Sequence, residues 1–139
     1  MDTTILSKDY PLSILIAEND PDDRTTTRNM LCRLGYQPEM AVDDQQILWM
    51  TSKKDYDVIL IDIRMPGVET ILAAHLGGPS DRRPLIVSMT GNARLNFKQV
   101  CLKGETDHSI TKPVDLSELS LQLKAYCVLM GKCHVSGQK

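Results

Sequence analysis

An α/β fold, a doubly wound parallel sheet of five strands with five helices, follows from two features of the sequence. Short apolar runs without polar alternation, such as "SILIA" and "VILI", suit strands covered on both faces. Between them lie segments with apolar residues at helical spacing, and strands alternating with helices argue for a parallel sheet carrying helices on both faces. At 139 residues the chain is long enough for one core and one domain.

Residues 13–17 make the first strand. Asp20 followed by Pro21 then opens a helix, because Asp can accept from a free first-turn N–H and Pro at the first helical position loses no bond. Thr27, Met30, Leu31 and Leu34 form its stripe, and Gly35 stops it. "QPEMAV" is a weaker second strand, and "DDQQILWMTSKK" a short amphipathic helix whose acidic start suits its positive end. "YDVILIDIRMPG" supplies the clearest strand, Val58 to Ile61, ending at Asp62 and a turn marked by Pro66 and Gly67. Residues 69–76 are predicted helical, and "GGPSDRR" a loop. "PLIVSM" is a strand ending at Thr90, a helix follows near 94–103, and "HSITKPV" is a short polar strand with a proline beyond it. Leu116, Leu119, Leu123, Tyr126, Cys127 and Met130 stripe the last helix. The domain thus spans 12–128, between an N-terminal extension at 1–11 and a flexible C-terminal tail at 129–139. Trp49 and the seven methionines read as core or helix-face fill.

Composition excludes several classes of function. The net charge of −2 provides no basic field, so direct nucleic-acid contact is not expected. No apolar run approaches the roughly 20 residues of a membrane helix, and "MDTTILSKDY" has no leader pattern, so a cytoplasmic protein is expected. The cysteines are scattered and read as reduced thiols; Cys127, Cys133 and His134 lack a second close-spaced pair to close a tetrahedral metal site.

In a sheet of this kind ligands bind beyond the carboxyl ends of the strands. Those ends carry Glu18, Asn19 and Asp20, then Asp62, Thr90 and Lys112. Together they make an acidic pocket with one hydroxyl and one amine. Clustered oxygen ligands suit a hard cation such as Mg2+. A carboxylate beside that cation can attack a phosphoryl group to give an acyl phosphate, with the lysine and hydroxyl sharing the oxygen charge. The bland alternatives are a helix cap for Asp20, a surface lysine for Lys112 and plain turn chemistry for Thr90. Asp62 has the least structural reason to end a buried apolar strand.

Over residues 12 to about 127 the chain resembles the receiver domains of two-component response regulators, through "ILIAEND", "YDVILIDIRMPG", "PLIVSMTGNA" and "ITKPV" in that order. Its wording is most similar to receivers of prokaryotic hybrid kinases. The resemblance implies a flavodoxin-like (CheY-like) sheet of order 2-1-3-4-5, phosphorylation of Asp62, Thr90 as the switch hydroxyl and Lys112 as the phosphate-pairing lysine. It implies a Mg2+ site of Glu18, Asn19, Asp62 and the Arg64 carbonyl. The implied partners are a histidine kinase or phosphotransfer protein upstream, and a downstream protein or another response regulator, with a homodimer also open. Signalling would pass through the face of the fourth helix, fifth strand and fifth helix.

The sequence departs from that pattern in three places. Asn19 replaces the second acid, so Mg2+ binding weaker than in an ordinary receiver is expected. The turn "MPGVET" reaches its helix early, and Ser109, beside His108, stands where the family has an aromatic switch residue. Three functions remain in contention. The first is a phosphoacceptor receiver, expected to stand alone because only a short tail follows the last helix, and not a turnover enzyme. The second is a pseudo-receiver binding module, indifferent to phosphate because Asn19 weakens the metal site. The third, an aspartate-nucleophile phosphatase, lacks its general acid, since Arg64 occupies that position.

Overall fold

The structure, a computed structural model, describes residues 6–67, 84–90, 108–112 and 114–131. Five strands, β1 (Ile14–Ala17), β2 (Glu39–Ala41), β3 (Val58–Asp62), β4 (Leu85–Thr90) and β5 (His108–Thr111), pair in parallel in the order β2-β1-β3-β4-β5. Helices α1 (Leu6–Asp9), α2 (Pro21–Arg33), α3 (Asp44–Lys53) and α4 (Leu116–Leu129) are described with them. The helices expected at 69–76 and 94–103 lie outside the described residues.

The sheet separates two apolar clusters, and alternate residues of each inner strand feed opposite sides. Ile14 and Ile16 of β1 and Val58 and Leu60 of β3 join Leu31 of α2 and Leu119 and Leu123 of α4 on one face. Leu15 and Ala17, with Ile59 and Ile61, meet Ile47 of α3 on the other. All five residues of β3 are buried, which is why this run lacks the polar alternation of a one-sided strand.

Local chemistry explains where the helices start and stop. The Asp43 carboxylate accepts from the Gln46 backbone N–H at 2.8 Å, and Asp115 accepts from that of Glu118 at 2.9 Å, so each satisfies a first-turn donor. Asp20 corrects its expectation: it stands at the N-cap of α2, but its carboxylate makes no capping bond. Gly35 ends α2 with φ 94°, a left-handed conformation that favours glycine. The short α1 was not foreseen; it is tied down by a Ser7 N–H bond to the Leu34 carbonyl at 3.0 Å.

Of two apolar side chains, Trp49 takes the helix-face alternative and Met130 departs from its expected place in the stripe. Trp49 is 64% exposed on α3, with Lys53 Nζ 5.7 Å from its ring centroid, so it is helix-face and not core. Met130 falls at the C-cap of α4 and is exposed, leaving Leu119, Leu123 and Cys127 as the buried stripe. Cys32 is exposed and Cys127 buried, whereas Cys101, Cys133 and His134 fall outside the described residues.

The turn beyond β3 passes very close to α3. Gly67 has φ 86°, and a Cβ there would sit 2.6 Å from the Asp44 Cβ. Only glycine fits this approach without moving the turn.

Candidate functional site

Parallel register brings the expected residues to one edge of the sheet. Ala17 pairs with Ile61 and Asp62 with Met89, so Glu18, one residue past β1, is level with the end of β3. Thr90 pairs with Thr111, and Lys112 follows directly. Strand ends, not sequence proximity, thus gather groups that lie up to 94 residues apart.

The centre of the site is the Lys112 ammonium. Its Nζ donates to Glu18 Oε1 at 2.7 Å, Asp23 Oδ2 at 2.8 Å and Asp62 Oδ2 at 3.0 Å. Glu18 is fully buried, and the side chains of Asp62 and Lys112 are 8% and 15% exposed. The other carboxylate oxygens are held by backbone: Glu18 Oε2 accepts from the Asp20 N–H at 3.2 Å, and Asp62 Oδ1 from the Arg64 N–H at 2.9 Å. Arg24 Nη1 donates to the Glu18 carbonyl at 3.0 Å and braces the end of β1. Asn19 and Arg64 are exposed at the rim, and Thr90 is the last residue of β4.

Asp23 was not anticipated. Its acidic neighbourhood, "DPDD", reads as complement to a helix start, and nothing local points to a lysine 89 residues away. The available signal was geometric: a helix opening at Pro21 places Asp23 in its first turn, over the carboxyl edge of the sheet.

One ammonium cannot neutralise three carboxylates, and the pKa values divide accordingly. Burial pushes Glu18 up to about 7, although Lys112 opposes the rise. Burial also acts to raise Asp62, but the Arg64 N–H, Glu18 and Lys112 together outweigh it and hold this carboxyl below its usual range. Burial would lower Lys112; Asp23, Glu18 and Asp62 outweigh it and hold the ammonium well above its usual range. Asp62 is therefore an ionised carboxylate at neutral pH, the form a nucleophile needs.

These shifts set a pH dependence. Between the ordinary value of 4.5 and about 7, the folded chain keeps a proton on Glu18 that the unfolded chain releases. Stability from this group therefore falls as pH rises through that window and stays lost above it. Asp62 acts oppositely, and only below the ordinary carboxylate range. In chelator, Glu18→Gln is expected to reduce the stability loss between about pH 5 and pH 8 by ~2 kcal/mol, read from urea unfolding at both values. Equal pH slopes in the two proteins would refute this.

The fold and edge pocket define a class: a doubly wound α/β domain with an acid and lysine site where its parallel strands end. A match to the response regulator receiver domain family covers residues 14–124, and the chain belongs to that family. Among curated relatives it is 34% identical over 126 residues to Histidine protein kinase 1 of Candida albicans, covering 82% of this chain and 5% of that protein. It is 28% identical over 131 residues to the sensor histidine kinase RcsC of Escherichia coli, covering 94% of this chain and 14% of that one. The chain thus spans a small fraction of the relatives it matches. Among solved structures, the receiver domain of the sensor histidine kinase PA1611 from Pseudomonas aeruginosa PAO1 is 28% identical with a TM-score of 0.73, over 84% of this chain and 98% of that one. That structure has a magnesium ion coordinated in its active site cleft. The relatives confirm the resemblance to hybrid-kinase receivers and extend it beyond prokaryotes to a fungus. Among the described residues, no helix is long and apolar enough to cross a membrane.

Proposed function

We propose that this receiver domain accepts phosphate on Asp62 from a phosphohistidine of a histidine kinase or phosphotransfer protein, and passes the signal on by protein contacts. The observation that carries the reading is the Lys112 ammonium bonded at once to Glu18 and Asp62, at 2.7 and 3.0 Å, on the carboxyl edge of the sheet. Asp62 supplies the nucleophilic oxygen, and the Arg64 N–H and Lys112 fix the direction of its carboxylate. Lys112 then pairs with a phosphoryl oxygen, and Thr90 is the hydroxyl assigned to another. The acyl phosphate is an intermediate in signalling and not the product of a turnover enzyme.

The residues present suit a hard cation. All the donors are oxygens, and one ammonium leaves the three carboxylates in negative excess. Glu18, Asp62, the Asn19 amide and the Arg64 carbonyl would hold Mg2+. The ion would supply charge neutralisation at the phosphoryl oxygens. Asn19 contributes an oxygen without a charge, so weaker affinity than in an all-acidic site follows.

The output is assigned to protein and not nucleic acid. Leu121, Val128 and Leu129 leave apolar area exposed on α4, suited to a downstream protein or second receiver. Residues 12–128 are the functional unit, cytoplasmic in this reading. The Lys112 bonds to Glu18 and Asp62 favour a phosphoacceptor over a binding module indifferent to phosphate, even with Asn19 in place.

The test is intact-mass analysis after incubation with acetyl phosphate, with and without Mg2+. A Mg2+-dependent single phosphoryl adduct on the wild type, absent from Asp62→Asn, is expected. No adduct, or an adduct that survives Asp62→Asn, would refute the assignment.

A further inference from the structure

We propose that Asp23 is a positioning residue that holds Lys112 in the resting pocket and competes with an incoming phosphoryl group for its ammonium. The proposal rests on Asp62 being the phosphoacceptor. An ammonium has three N–H donors, and Glu18, Asp23 and Asp62 take all three at 2.7, 2.8 and 3.0 Å. A phosphoryl oxygen can therefore bond to Lys112 only by displacing one of these carboxylates.

Asp23 is the one to give way. Glu18 is fully buried and Asp62 nearly so, both fixed by the sheet, so neither can regain water if its bond is lost. The Asp23 side chain is 43% exposed and reaches the ammonium from the first turn of α2, where water replaces the lost bond. Its charge also opposes the approach of an anionic donor. In the transfer, a carboxylate oxygen of Asp62 forms a bond to phosphorus as the P–O bond to the acetyl group breaks. Acetate leaves with the electron pair, and no oxidant or reductant is needed. Lys112 turns from Asp23 to the phosphoryl group as that bond forms.

Intact-mass time courses on the full chain with acetyl phosphate and excess Mg2+, across donor concentrations, test this. An exposed ion pair is modest, so Asp23→Asn should raise the rate at low donor by about two- to fivefold while changing the maximal rate little. The gain should shrink at high salt. Asp23→Glu, which restores the carboxylate, should cancel most of it. Asp22→Asn removes the same charge from an exposed neighbour and should leave the rate unchanged. A rate for Asp23→Asn at or below wild type, or the same gain in Asp22→Asn, would overturn the proposal. Should Asp23→Asn melt below the assay temperature, Asp23→Ser is read against the same expectation. No adduct on either wild type or Asp23→Asn would overturn the phosphoacceptor reading and this proposal together. An adduct on the wild type without the gain would overturn only the role of Asp23.

Discussion

Lys112→Ala is expected to cost about 3–5 kcal/mol of folding stability near pH 8 in chelator, because it strands buried carboxylates without their cation. Lys112 Nζ is the shared partner of Glu18, Asp23 and Asp62, and its loss leaves Glu18 fully buried beside Asp62. Two conditions should restore part of the loss. Lowering the pH protonates Glu18, whose carboxyl is already raised by burial and in this variant no longer has the ammonium that opposes the rise. Millimolar Mg2+ replaces the missing positive charge and stabilises the folded state by mass action. Urea unfolding under the three conditions reads all of this. A loss under 1 kcal/mol near pH 8, roughly that of an exposed pair, would mean that the pocket is better solvated than its burial implies.

Leu60→Ala should have a comparable effect without any pH or metal dependence. Leu60 is fully buried in the central strand, paired with Ile16 on one side and Val87 on the other. Both neighbours are backbone-paired strands that cannot collapse into the space, so a loss of about 3–4 kcal/mol is expected. The contrast between the two variants is the informative part. If Leu60→Ala were rescued by Mg2+ as strongly as Lys112→Ala, the rescue would report general stabilisation and not the pocket.

Much of this architecture was readable before any coordinates, for reasons that lie in particular residues. The apolar run at 58–61 and the run at 85–89, broken only by buried Ser88, are legible because a strand buried on both faces carries few polar groups. Asp62 stood out as the exception at the end of such a run. Glu18 and Lys112 were readable for the same reason: both stand at strand ends, where a parallel sheet collects its chemistry. Asp23 was not, because its partner is 89 residues distant and side-chain direction on a first helical turn is not encoded in spacing alone. Asp20 was legible in part. Its place before Pro21 marks the N-cap correctly, but its carboxylate makes no capping bond and its backbone N–H donates to Glu18. Trp49, read as core or helix face, shows a further limit: amphipathic spacing marks a helix but does not say how far a large ring on it is covered.

The approach of Gly67 to Asp44 has a consequence for how such a chain can change over generations. Position 67 demands a left-handed backbone, and its missing side chain is what leaves room for the first residue of α3. Drift at 67 is therefore not independent of drift at 44. Shrinking residue 44 would relieve the clash but not the left-handed backbone, so a side chain at 67 stays strained even where there is room for it. The two sites are sterically coupled, and the turn that carries the pocket's rim inherits its shape together with a helix on a different part of the chain.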